Sequence, residues 1–126
     1  MFILEEQSEI PVTAEVDVLV IGSGPAGVSA AVTAGREGMS TMLIEQAGDV
    51  GGIATVGLMS HWTGDTKGGI YEEILQRSSD EPDNKEKRII INPEKLKTVL
   101  LEMLYEAGVK VLLYTFASRP VMEGNT

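Results

Sequence analysis

The sequence has no cysteine among its 126 residues and only one histidine, His61. The missing cysteines exclude disulfide frameworks, thiolate zinc sites, iron–sulfur clusters and cysteine nucleophiles. The lone histidine has no evident orienting acid, so no Ser/His/Asp grouping can be read and the catalytic residues stay unknown. Because no metal-ligand spacing occurs either, we expect no metal site.

Basic residues are also few, with 10 Lys and Arg against 19 Asp and Glu, which gives a formal net charge of −9. Such a surface repels nucleic acid and anionic membranes, so we expect neither as a partner. No apolar run approaches the roughly 20 residues of a membrane span. The first residues lack the basic and apolar regions of a secretion signal. We therefore expect a cytoplasmic protein.

The length predicts one domain, and 43% hydrophobic with 23% charged residues is ordinary for a globular chain. Residues 1–15 read as a leader segment, and residues 16–126 as the domain. Apolar runs predict strands over 16–21, 41–44 and 109–114, and periodicity with end signals predicts helices over 25–37, 70–77 and 93–107. This order predicts a three-layer α/β fold of the Rossmann type, with a parallel sheet in the strand order 3-2-1.

A glycine-rich turn follows the first predicted strand and matches the pattern G-x-G-x-x-G over residues 22–27. In this pattern Gly22 permits the sharp turn, Gly24 lets a pyrophosphate approach the backbone, and Gly27 lets the helix pack against the strand. Pro25 and Ala26 form the first helical turn, whose free amides and positive dipole end favour phosphate. The loop therefore predicts a dinucleotide site; the alternative is a turn that merely joins strand to helix.

An acidic residue, Glu45, ends the second predicted strand 23 residues after Gly22, close to the usual spacing of about 20. A carboxylate at this place accepts hydrogen bonds from an adenosine ribose and repels a 2′-phosphate. NADP is therefore disfavoured. The alternative for Glu45 is a solvated acid at a strand end.

A second glycine-rich stretch, residues 49–57, follows soon after Glu45-Gln46. Together with residues 16–45 it resembles the N-terminal region of FAD-dependent oxidoreductases of the glutathione-reductase-like superfamily, and bacterial members in particular. The resemblance covers most of residues 10–124. In that superfamily the second loop passes near the pyrophosphate and the flavin end of FAD. The resemblance therefore implies that FAD is bound by Gln46, Gly51, Gly52, Ala54 and Thr55 together with the first loop and Glu45.

The resemblance implies that this chain is the FAD-binding part of an FAD-dependent oxidoreductase and holds the ADP portion of the cofactor. The β-meander and the later Ala-Thr-Gly-Asp-like strand end of that superfamily do not occur before Thr126. We therefore expect an incomplete, truncated domain that is inactive alone. An NAD-binding domain and a nucleotide-binding module without catalysis remain the alternatives.

Two further features have open interpretations. The strand over 16–21 lacks the neighbour it has in the complete fold, so we expect an apolar edge that promotes self-association. His61 and Trp62 are either close to the flavin ring, as proton donor or stacking wall, or loop residues that pack locally, and we favour local packing.

Overall fold

The computed structural model describes residues 10–59, 61–63, 66–80, 88–122 and 124. Residues 1–9 of the predicted leader and most of the charged segment 78–88 lie outside this range. The strands are β1 (Val18–Ile21), β2 (Thr41–Ile44), β3 (His61–Thr63), β4 (Arg88–Ile90) and β5 (Lys110–Leu112). The helices are α1 (Pro25–Arg36), α2 (Gly69–Ser78), α3 (Pro93–Glu106) and a 3-10 turn, Gly52–Ala54.

The main sheet is parallel, with the order β1-β2-β5, which confirms the predicted topology. Val20, Leu43 and Val111 lie side by side in register on the face that packs against the helices. The next row along, Ile21, Ile44 and Leu112, lies on the opposite face. Since Ile21 is 63% exposed and Leu112 is 45% exposed, the described helices cover one face only. The described residues therefore show two of the three predicted layers, the parallel sheet and the helices on one of its faces.

Helix ends follow the local sequence closely. The Asn92 side chain caps α3 by accepting hydrogen bonds from the backbone amides of Glu94 and Lys95, at 2.9 and 3.4 Å. Helix α1 ends at Arg36, and Gly38 just beyond it has a φ of +84°. The apolar stripe of α3, which includes Leu96, Met103 and Leu104, is buried as the periodicity predicts.

Helix α1 lies close to its neighbours because of its small residues. A Cβ on Gly27 would lie 1.9 Å from the carbonyl oxygen of Gly22, so the helix can meet the end of β1 only with glycine there. A Cβ on Gly35 would lie 2.3 Å from the carbonyl oxygen of Ala107, after the end of α3. Glycine thus sets the distance of α1 from both the sheet and the neighbouring helix.

A second, antiparallel sheet joins β3 to β4, pairing His61 with Ile90 and Trp62 with Ile89. The prediction that His61 and Trp62 lie in a loop is wrong, because both belong to β3. The Trp62 ring stacks on Tyr71 of α2 with centroids 5.9 Å apart and an angle of 26° between the planes. Trp62 therefore packs locally, as the favoured interpretation had it.

Candidate functional site

The first glycine loop leaves the start of α1 open. Gly24 is the N-cap, and no side chain of the described residues caps the helix. By helix geometry the amides of Ala26 and Gly27 have no carbonyl partner within α1, and Pro25 contributes none. A Cβ on Gly24 would meet nothing within 4 Å, so the space in front of the loop is free. The loop therefore presents bare amides and a positive dipole end to that space.

Glu45 points into this loop. Its Oε2 accepts hydrogen bonds from the backbone amide and the hydroxyl of Ser23, both at 2.7 Å. Its Oε1 accepts one from the amide of Ala47, also at 2.7 Å. Glu45 is 8% exposed and Ser23 is fully buried. The carboxylate is thus fixed beside the loop rather than solvated at a strand end.

These contacts keep Glu45 ionised. Burial, the largest single influence, favours the neutral acid, but it is outweighed by hydrogen bonds from Ala47 and Ser23 and a smaller contribution from the amide of Gln46. The net effect lowers the pKa of Glu45 below its ordinary value. The site therefore presents a fixed negative charge to any ligand that reaches it.

The second glycine loop is joined directly to the first. The Gly51 amide donates to the carbonyl of Ser23 at 2.8 Å, and Gly51 has a φ of +102°. A Cβ on Gly52 would lie 2.9 Å from the Cα of Gly24, so the two backbones are in contact at this point. Gly52 therefore stands at the edge of the space in front of the helix, and its contact with a cofactor stays a prediction.

Ala54 and Thr55 lie in the interior of the second loop. Both are buried, and the Thr55 hydroxyl donates to the carbonyl of Val50. The loop is also held from outside, because Lys97 of α3 forms an ion pair with Asp49 at 3.3 Å. The side chain of Thr55 thus serves the shape of the loop, and a cofactor contact through Ala54 or Thr55 stays a prediction.

A pocket of about 230 Å³ begins where Gly22 and Glu45 meet. The carboxyl ends of three strands meet here through two backbone hydrogen bonds. The amide of Gly22 donates to the carbonyl of Ile44 at 2.8 Å, and the amide of Glu45 donates to the carbonyl of Leu112 at 2.9 Å. The lining residues come from those three strand ends: Ile21, Gly22, Ile44, Glu45, Gln46, Thr115, Phe116 and Ala117. Ligands of open α/β sheets bind at this end of the strands.

The third wall of the pocket, Thr115 to Ala117, is not among the site residues predicted from the sequence. These residues follow β5 and reach the pocket because the Thr115 amide donates to the carbonyl of Glu45 at 2.8 Å. Tyr114 before them has a left-handed backbone, with a φ of +53°, and its amide donates to the carbonyl of Ala47 at 3.1 Å. Both contacts join distant segments, and no motif in the sequence signals them.

None of the residues in the two glycine loops or the pocket lining is basic. An anion here must be held by amides and the helix dipole, while the pocket lining includes the apolar residues Ile21, Ile44 and Phe116. The donors at the helix start, the acceptor at Glu45 and the pocket beyond it match the diphosphate, ribose and base of a dinucleotide.

The described residues contain no group of three side chains suited to a metal ion. The longest described helix has 14 residues, and none has the length and apolar character of a membrane span.

Comparison with known proteins gives the family. The family model for FAD dependent oxidoreductases matches residues 17–126. A 3-oxosteroid 1-dehydrogenase of Mycolicibacterium smegmatis is 32% identical over 118 residues, which covers 85% of this chain and 18% of the relative. A digeranylgeranylglycerophospholipid reductase of Picrophilus torridus is 63% identical over 35 residues, 28% of this chain and 9% of the relative. The chain thus spans less than a fifth of either relative.

The fold agrees with this. A geranylgeranyl bacteriochlorophyll reductase-like protein from Thermoplasma acidophilum superimposes with a TM-score of 0.60, at 21% identity, over 86% of this chain and 32% of that one. At this identity the likeness shows the fold alone. Family membership decides between the flavin and nicotinamide alternatives, and the chain belongs to the FAD dependent oxidoreductase family, of which it carries an FAD-binding portion.

Proposed function

We propose that this chain holds the ADP half of FAD in the space between α1, Glu45 and the pocket beyond it. The amides of Ala26 and Gly27, with the backbones of Gly24 and Gly52, face the diphosphate. Glu45 accepts from the ribose, and the base enters the pocket that Gly22 and Gln46 help to line. The observation that carries the proposal is that the buried, ionised Glu45 is hydrogen-bonded to the same loop whose helix start is uncapped.

FAD, when bound, supplies hydride or electron transfer through its isoalloxazine ring. We propose that the whole protein is an oxidoreductase of this kind, while the residues of this chain bind and orient the cofactor. Family membership and the absence of a recognisable acid–base pair among the described site residues support that division of roles. The chain alone is expected to be inactive. Its site residues indicate neither the catalytic residues nor the small-molecule substrate of the whole protein. A cytoplasmic location stays a prediction from the sequence.

Titration of the full 126-residue chain with FAD, followed by quenching of the flavin fluorescence, tests the proposal. We expect saturable binding that ADP reverses by competition. NADP should bind more weakly than NAD in a thermal-shift assay, because its 2′-phosphate meets the carboxylate of Glu45. Absence of FAD and ADP binding, or equal binding of NAD and NADP, would contradict the assignment.

We also propose that the chain self-associates through β1. This strand has a single neighbour in the described sheet, and its Leu19 is 52% exposed on the open face beside Ile21. An apolar strand edge of this kind is a template for pairing with another chain. The supporting observation is therefore the edge position together with the apolar surface next to it.

Sedimentation velocity of Leu19→Lys tests this proposal. We expect a shift toward monomer, because a lysine charge beside an edge strand opposes pairing. Leu101→Lys is the matched control, since Leu101 is 40% exposed on α3, away from the sheet. A wild-type chain that is strictly monomeric, or an equal effect of both substitutions, would refute the proposal.

A further inference from the structure

The two oxygens of Glu45 have different surroundings. An ionised carboxylate has about four acceptor positions, two on each oxygen. Ser23 occupies both positions on Oε2, one with its backbone amide and one with its hydroxyl, each at 2.7 Å. Ala47 occupies one position on Oε1. The amide of Gln46 makes a smaller contribution to the same carboxylate. Because Ser23 fills both positions of Oε2, Oε1 is the oxygen that can still accept from a ligand.

Ser23 joins the first glycine loop to both Glu45 and the second glycine loop. It is fully buried, and its three polar groups all bond to groups that form the site. The amide and hydroxyl hold Glu45, while the carbonyl accepts from the amide of Gly51 in the second loop at 2.8 Å. Two of these contacts belong to the backbone and would survive any substitution that preserves the loop. The hydroxyl contact is the one that depends on serine.

We propose that Ser23 is a positioning residue, whose hydroxyl turns Oε2 of Glu45 inward so that Oε1 alone is presented to the ribose. The inference rests on the proposed function. Its consequence is that the ribose is held by a single hydroxyl donor on Oε1 rather than by a pair of hydrogen bonds, one to each carboxylate oxygen. Without the Ser23 hydroxyl, Oε2 keeps only the Ser23 amide, so the carboxylate gains freedom to rotate and Oε1 is directed less firmly toward the ribose.

A serine that served stability alone would act on every ligand equally. A serine that orients Glu45 acts only on ligands whose ribose carries a hydroxyl donor. ADP and 2′,3′-dideoxy-ADP differ in this respect and share the diphosphate and base, so their comparison separates the two roles. A net hydrogen bond of about 0.5–1.5 kcal/mol corresponds to about 2- to 12-fold in affinity.

The experiment measures the affinities of both nucleotides for the full chain by competition with FAD. For Ser23→Ala we expect about 2- to 12-fold weaker binding of ADP and unchanged binding of dideoxy-ADP. Ser23→Gly removes the same hydroxyl without a methyl group and is expected to behave alike. Ser29→Ala is the matched control, because the Ser29 hydroxyl donates to the carbonyl of Pro25 at 2.8 Å and does not contact Glu45.

A pH profile gives the second readout. The Ser23 hydroxyl helps to lower the pKa of Glu45, so the acidic loss of ADP affinity should move to higher pH in Ser23→Ala and not in Ser29→Ala. Equal losses for the two nucleotides, or an unmoved profile, would overturn the positioning role alone. A wild-type chain that binds neither FAD nor ADP would instead overturn the proposed function, and this inference with it.

Discussion

Substitution of Gly24 by alanine separates the function of the first loop from its folding. Gly24 has a φ of −60° and a ψ of 175°, which any residue adopts, and an added Cβ would meet nothing within 4 Å. Alanine at an N-cap costs a fraction of a kcal/mol to about 1 kcal/mol, and the stiffer unfolded chain offsets part of that. We therefore expect Gly24→Ala to fold with a melting temperature close to that of the wild type.

The same methyl group should harm binding, because it projects into the space assigned to the diphosphate. Loss of one hydrogen bond to a charged group corresponds to about 1.5–3 kcal/mol, or about 10- to 150-fold in the Kd for FAD. The measurement is the fluorescence titration described above, with the melting temperature of the ligand-free chain recorded alongside.

Gly27→Ala is the contrasting variant in the same loop. Its Cβ would lie 1.9 Å from the carbonyl oxygen of Gly22, so α1 must move away from β1. Overpacking of this kind costs about 1–3 kcal/mol, which lowers the melting temperature of a chain this size by about 5–15 °C. If Gly24→Ala bound FAD like the wild type, or lost as much stability as Gly27→Ala, our placement of the diphosphate would be wrong.

Two further predictions concern charged groups. The folded-state pKa of Glu45 is lowered, so its stabilisation is present above the ordinary carboxyl pKa and is lost as the pH falls through the folded value. Urea unfolding over about pH 3 to 7 should therefore show the stability advantage of the wild type over Glu45→Gln shrinking toward acid, and parallel curves would contradict this. Glu73 of α2 pairs with Arg36 of α1 at 2.6 Å and with Arg77 at 2.7 Å on a partly exposed surface. Glu73→Gln should lower the free energy of unfolding by about 1 kcal/mol or less, with a smaller difference at high salt, and a salt-independent loss would refute the ion-pair explanation.

The elements with strong local signals could be predicted from the sequence. The run Val18–Ile21, the glycine loop and the small residues of α1 follow from patterns within about 20 neighbouring residues. The cap at Asn92 and the stop at Gly108 likewise place α3 within a residue or two. The predicted pairing order β1-β2-β5 came from the fold class that this succession of elements indicates.

The parts that could not be predicted depend on contacts between distant segments. Strands β3 and β4 have three residues each, too few to show a period, and their pairing joins Trp62 to Ile89 across the charged segment. The wall of the pocket formed by Thr115 to Ala117 depends on a bond from Thr115 to Glu45. The role of the Ser23 hydroxyl could not be predicted from the motif, because G-x-G-x-x-G allows any residue at that position.

The two glycine loops are joined by two contacts, the hydrogen bond from Gly51 to Ser23 and the close approach of Gly52 to Gly24. These contacts affect the rate at which a nucleotide could bind. Immobilising a flexible loop around a ligand costs about 1–2 kcal/mol for each residue ordered. Since the two loops are already tied together before any ligand arrives, that entropy is lost during folding rather than during association. The proposed phosphate site is thus preorganised, so nucleotide binding should need no slow closing step. Differences in affinity should then arise mainly from the dissociation rate.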